Sequence, residues 1–132
     1  MQKSATAKQR MIVFVDGTGG QEGAMSGYAW TIPSVAAMVQ WKAGLTCNQA
    51  EFWALISALR WLPKGSCAVI YTDSQIVARN YSGEYRTSHP NMLPLLTKVR
   101  TLIKLRNLDI EIRWISRWEN KADELLRRRI GL

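Results

Sequence analysis

The chain carries one histidine, His89, and two cysteines, Cys47 and Cys67, in 132 residues. A lone imidazole cannot anchor a zinc cluster. Two thiols twenty residues apart have neither metal-site spacing nor the density of a secreted disulfide scaffold. Both are therefore read as free thiols. No apolar run approaches the about 20 residues that span a bilayer, so no membrane-spanning segment is expected. The basic start, Met1–Arg10, is not followed by the apolar core and cleavage site of a signal peptide. A cytoplasmic location is the expectation. There is also no internal repeat, low-complexity tract or linker, which predicts one domain over 1–132 with 1–10 as a loose basic lead-in.

Acids are scarce as well: 10 Asp and Glu stand against 18 Lys and Arg, for a net charge of +8. Such an excess suggests a polyanionic partner, either nucleic acid or an anionic membrane surface, and charge alone does not choose. The basic stretch 91–106 has a regular core stripe but no aromatic face, so no membrane partner is expected. The six tryptophans and an apolar share of 47% are those of a folded chain with a real core.

What is present is organised around Ile12-Val13-Phe14-Val15-Asp16-Gly17-Thr18-Gly19-Gly20. The unbroken β-branched run reads as a strand buried on both faces, stopping at an acid and a Gly-rich turn. Ser26–Pro33 and Val35–Lys42 read as two further strands, completing an antiparallel meander. Thr46–Leu62 reads as a helix, with Phe52, Leu55, Ile56 and Leu59 on one stripe. Thr46-x-x-Gln49 and Asn48-x-x-Glu51 both resemble capping boxes, so its start is open by a turn. Cys67–Thr72 is a second buried strand running into Asp73. Ser74–Tyr81 reads as a short helix, Ser82–Pro90 as turns, Asn91–Arg106 as a helix and Asn107–Ile115 as a strand. Ser116-x-x-Glu119 resembles a capping box opening a last helix to about Arg129. The fold class is α/β: a mixed five-stranded sheet, an antiparallel meander followed by two parallel strands, with helices on both faces.

Four acids stand at special places: Asp16 and Asp73 at strand ends, Glu51 and Asp123 near helix starts. Each also has an ordinary reading as a turn residue, a cap or a solvated helix acid. In α/β sheets ligands gather outside the carboxyl ends of parallel strands, where Asp16 and Asp73 would meet. Clustered carboxylates raise one another's pKa unless a cation neutralises them. Oxygen-only ligation suits Mg²⁺ or Mn²⁺.

The motifs around these acids resemble those of the type 1 ribonuclease H family, over about Ile12 to Leu126. Val15-Asp16-Gly17-Thr18 is similar to its first-strand motif, and Thr46-Cys47-Asn48-Gln49-Ala50-Glu51 to its Thr-Asn-x-x-x-Glu helix start. Tyr71-Thr72-Asp73-Ser74-Gln75 resembles its fourth-strand motif, and Asn120-Lys121-Ala122-Asp123-Glu124-Leu125 its terminal-helix motif. The resemblance implies the ribonuclease H-like fold and an Asp16–Glu51–Asp73–Asp123 site. It also implies two Mg²⁺ ions roughly 4 Å apart, for which Mn²⁺ can substitute. Asp16 would touch both ions, Glu51 and Asp73 the ion nearer the leaving group, and Asp123 the ion nearer the attacking water. The implied reaction is hydrolysis of the RNA strand of an RNA–DNA hybrid, leaving 5′-phosphate and 3′-hydroxyl ends, with no small-molecule cofactor. Gly17, Thr18, Cys47, Asn48, Gln49 and Gln75 would face the minor groove, where the 2′-hydroxyl marks RNA. Thr46 matches a DNA-phosphate contact and equally a helix cap, and Ser74 and Asn120 complete the implied substrate contacts. A monomer is the default.

Two departures are visible. Ser116-Arg117-Trp118-Glu119-Asn120 is too short for the histidine-bearing loop of many members. It resembles a loop-lacking branch with Arg-x-x-Asn-x-x-Ala-Asp, in which Arg117 takes over part of the histidine's task. His89 lies far off in sequence and reads as a surface residue. The basic protrusion of some members is also missing, since Tyr81–Pro90 is too short for it. Lys98, Arg100, Lys104 and Arg106 either replace part of that grip or are a solvated helix face. Arg127-Arg128-Arg129 reads as a helix end complementing its dipole. Trp30, Trp41 and Trp61 read as core or half-core, while Trp53 and Trp118 are candidates to stack on nucleic acid. The alternative to the enzyme is a non-catalytic or weakly catalytic module that binds hybrid or RNA.

Overall fold

A computed structural model of the chain describes residues 9–19, 25–83 and 92–129. Most of the 1–10 lead-in, the turns after Ser82 and His89 lie outside the described residues. The elements run β1 (Met11–Thr18), β2 (Met25–Ile32), β3 (Ala36–Ala43), α1 (Cys47–Trp61), β4 (Cys67–Thr72), α2 (Gln75–Ser82), α3 (Leu93–Leu105), β5 (Asp109–Trp114) and α4 (Lys121–Arg129). They form one five-stranded sheet in the order β3-β2-β1-β4-β5. β1, β2 and β3 pair antiparallel, and β4 and β5 run parallel to β1, as the alternation of strands and helices predicts. Among the described residues no helix is long and apolar enough to cross a membrane.

Alternation along β1 divides the core. Val13 and Val15 enter the larger cluster with Phe52, Leu55, Ile56 and Leu59 of α1, Ile70 of β4 and Val99 of α3. Phe14 packs on the other face with Ala122 and Leu126 of α4. A strand covered on both faces must be apolar at every position, which is why β1 carries no polar alternation.

The register brings the site together. Val15 of β1 pairs with Thr72 of β4, so Asp16 and Asp73 leave the same edge side by side. β1 does not stop at Asp16, as the sequence suggests; it continues to Thr18, because Gly17 and Thr18 still pair with Tyr28 and Gly27 of β2. Backbone pairing overrides the turn preference of Asp-Gly here.

Gly17 is needed where it is for a packing reason. A Cβ there would lie 2.3 Å from the Ala50 carbonyl carbon and 2.4 Å from the Glu51 nitrogen. At Gly19 it would lie 2.2 Å from the Cys47 nitrogen. The start of α1 therefore rests directly on the backbone of β1 and the residue that follows it.

Helix starts differ from one another. At α1 the ambiguity resolves to Thr46: its hydroxyl accepts from the Gln49 N–H at 3.1 Å, and Gln49 Oε1 accepts from the Thr46 N–H at 2.9 Å. Ser116 does not open α4. Arg117–Glu119 form a 3₁₀ turn, and α4 begins at Lys121, where Asn120 Oδ1 accepts from the Ala122 N–H at 3.0 Å. Ser116 Oγ instead meets the Glu119 side chain at 3.1 Å, so the spacing was real but the helix was not. Trp61, expected as core or half-core, is 43% exposed and lies with its ring against Trp30, at 5.2 Å between centroids.

Candidate active site

Three elements supply one acid each at the carboxyl edge of β1 and β4. Asp16, Glu51 and Asp73 each place a carboxylate oxygen so that the three lie within 4.8 Å of one another. Asp16 and Glu51 are each only 6% exposed. Their side chains are hydrogen-bonded to each other, and Glu51 also accepts from the Gly17 N–H. Burial first, then the charge of Glu51, holds the Asp16 carboxyl far above the usual carboxylate range. Burial is also the main cause that raises Glu51, to about 7, with Asp73 adding to it. Asp73 is raised by burial and by Asp123, while a hydrogen bond from Asn120 pulls it back.

Asp123, buried in the first turn of α4, lines the same cleft without joining the three-oxygen cluster. Arg117 Nη2 lies 3.9 Å from its Oδ1, and Arg127 Nε lies 3.0 Å from its Oδ2. That second contact is close but off the hydrogen-bond line. Asp123 Oδ2 and Arg127 Nε are both buried without a hydrogen-bond partner. An acidic oxygen with no donor, beside three carboxyls that cannot all ionise together, is a donor set for a hard cation.

Around these acids is a cleft of about 780 Å³. Gly17, Thr18, Cys47, Asn48, Ser74, Gln75 and Arg117 line it, as do the four acids. Thr46, Gln49 and Asn120 are not on its wall. Thr46 and Gln49 spend their polar side chains on the capping box. Asn120 is buried, donating from Nδ2 to the Val15 carbonyl at 2.9 Å and to Asp73 Oδ2 at 3.1 Å. It ties the first strand, the fourth-strand acid and the last helix together. Ser74 lines the cleft and also caps α2, its hydroxyl accepting from the Val77 N–H at 3.1 Å.

Sequence reasoning missed Arg127, Trp114 and the true part of Asn120. Arg127 is one helical turn after Asp123, a spacing at which opposite charges meet and which was available to find it. Trp114 lines the cleft, 49% exposed, and donates from Nε1 to the Asp73 carbonyl at 3.1 Å. It sits at the end of edge strand β5.

A model described as RNase H matches residues 8–124. The chain belongs to the RNase H family. Among curated relatives, the bifunctional protein Rv2228c of Mycobacterium tuberculosis is 29% identical over 127 residues, covering 87% of this chain and 34% of its own length. An uncharacterized protein of Mycobacterium bovis, Mb2253c, matches to the same extent. The chain thus spans about a third of the length of the curated relatives it matches. Solved RNase H structures share the fold. The RNase H1 of Halobacterium salinarum has a TM-score of 0.76 at 23% identity, covering 89% of this chain and 94% of that one. LC11-RNase H1 in complex with an RNA/DNA hybrid gives 0.76 at 23%, covering 88% and 93%.

Proposed function

We propose that this RNase H domain is a divalent-metal-dependent endoribonuclease that cuts the RNA strand of RNA–DNA hybrids, leaving 5′-phosphate and 3′-hydroxyl ends. The observation that carries the reading is the convergence of Asp16, Glu51 and Asp73 within 4.8 Å in a chain of this family, with Asp123 on the same cleft wall. The oxygen-only donor set fits Mg²⁺, with Mn²⁺ as a substitute. Two such ions supply Lewis-acid activation of water and charge stabilisation at the leaving oxygen of an in-line displacement.

The chain's own residues do the rest. Asp16, Glu51 and Asp73 would hold the cations, whose charge would keep ionised the carboxyls that burial otherwise protonates. Asp123 completes the set from α4. The guanidinium of Arg117, 61% exposed at the mouth of the cleft, meets the scissile phosphate. It is always charged and stabilises phosphate without giving up a proton. The Gly17 and Thr18 backbone, with Asn48 and Gln75 on the cleft wall, reads the 2′-hydroxyl that separates the RNA strand from the DNA strand.

The test is cleavage of an end-labelled RNA–DNA hybrid beside single-stranded RNA, double-stranded RNA and duplex DNA, each with Mg²⁺, Mn²⁺ or chelator. Metal-dependent cutting confined to the hybrid is the expected result. Binding without products in either metal would leave a non-catalytic hybrid-binding module, and cutting of all-DNA substrates would point to another nuclease chemistry.

A further inference from the structure

Several charged side chains are spent on the fold itself. Glu111 sits between Arg10 and Arg113 and pairs with both. Arg100 donates to the Asn80 and Tyr81 carbonyls, and Arg106 donates to the Leu62 carbonyl at 2.7 Å. Two of the four cations expected to grip nucleic acid, Arg100 in α3 and Arg106 at its C-terminal cap, are thus spent on the fold.

One cluster behaves differently. Lys42 of β3, Arg60 of α1 and Lys98 of α3 all converge on the ring of Trp53, at 4.9, 5.9 and 5.3 Å from its centroid. Three elements far apart in sequence each send one exposed cation to the same ring. Tyr28 of β2 stacks against Trp53 at 6.4 Å between centroids, which fixes the ring from the sheet side. Among the described residues none of the three cations has an ion pair. A cation–π contact at an exposed site returns only about 0.5–1 kcal/mol and leaves the charge in place. Among the described residues these three like charges, held around one half-buried ring, have no counter-charge.

We propose that Lys42, Arg60, Lys98 and Trp53 form a phosphate-binding track on the outer side of α1 that takes up the hybrid's backbone beyond the segment held at the acidic cleft. The inference rests on the hybrid reading of the cleft and extends it. Its location supports it: Cys47 and Asn48 at the start of α1 line the cleft, and Trp53 follows six residues after Cys47, about 9 Å along the helix axis. Gln49 and Trp53, four residues apart, share a stripe of the helix that continues to Arg60. A ligand must present several anions in series to engage all three cations, which a phosphodiester backbone does. The ring orients the two ammonium groups and the guanidinium, and the backbone supplies the missing negative charge.

The test uses the whole chain in chelator, where hybrid is bound but not cut, with affinity followed by fluorescence anisotropy over a series of salt concentrations. A Lys42→Ala/Lys98→Ala variant is compared with Lys64→Ala/Arg128→Ala, which removes the same charge from exposed cations elsewhere on the surface. Each lost phosphate contact lowers the salt slope by about 0.9, so two lost contacts make the affinity drop between 50 and 200 mM salt about 12-fold smaller than in wild type. With metal present, the first variant should show a raised KM at unchanged kcat. The slope should move in the first variant and not in the second. Equal slopes in wild type and both variants, or equal changes in the two variants, would overturn the track. If wild type leaves hybrid uncut in every metal while the slopes still differ, the cleavage reading fails and the track stands.

Discussion

Asn120 is the residue on which the site's geometry most depends without itself lining the cleft. Its amide holds Asp73 from one side and the Val15 carbonyl from the other, and its oxygen caps α4, which carries Asp123. Asn120→Ala should weaken metal affinity or cleavage about 10- to 100-fold, as expected when an orienting partner of a ligand is removed. It should also cost about 1–3 kcal/mol, because a buried carbonyl loses its donor. Titration calorimetry with Mn²⁺ and denaturant melts measure the two effects separately. Asp16→Asn and Asp73→Asn should abolish cleavage, by more than about 100-fold, while the protein stays folded. Retained cleavage by either purified variant would remove that acid from the site. At this scale the four acids were legible in the sequence because each stands beside a motif residue. Asn120 was legible only as part of a motif. That it bridges residues 105 positions away in the chain is a property of the fold.

Between elements, the decisive contact is backbone on backbone. α1 meets β1 at Gly17 with no room for a side chain, and this contact sets Glu51 beside Asp16. Gly17→Ala should push the start of α1 off the sheet, costing about 1–3 kcal/mol as overpacking does, and should lower metal affinity more than stability. A thermal melt alongside Mn²⁺ titration separates those outcomes. Thr46→Ala should cost about 1 kcal/mol through loss of the cap, with little change in metal binding. Strands and helices were readable from their apolar spacing, and the parallel crossovers from their order. The 3₁₀ turn before α4 was not. Ser116 and Glu119 have the spacing of a capping box, but Asn120 caps the helix one step later, through contacts that only the assembled sheet provides. Exposure of Trp61 was hidden for a related reason, since an aromatic at a helix end packs wherever a neighbouring ring is offered.

For the molecule as a whole, the buried acids are a source of instability that a bound cation would relieve. Asp16 and Glu51 both bind protons more tightly in the folded chain than in the unfolded one, Glu51 titrating at about 7 instead of 4.5. Wherever the folded state binds more protons, stability falls as pH rises. In chelator, stability should therefore decline from pH 4.5 through about 7, by on the order of a few kcal/mol, and continue down as Asp16 is forced to ionise. Saturating Mg²⁺ should flatten that decline, because a ligand that binds only the folded state stabilises it. Melting temperatures across this pH range, with and without Mg²⁺, test the sign. The seat at Gly17 also governs when the protein becomes competent. The amide that donates to Glu51 is protected from hydrogen exchange only while helix and strand are closed on each other, so its exchange rate reports how often the site ceases to exist. A chain still emerging or locally opened has no assembled acids. Its positive charge, set by composition, is in place before the acids are.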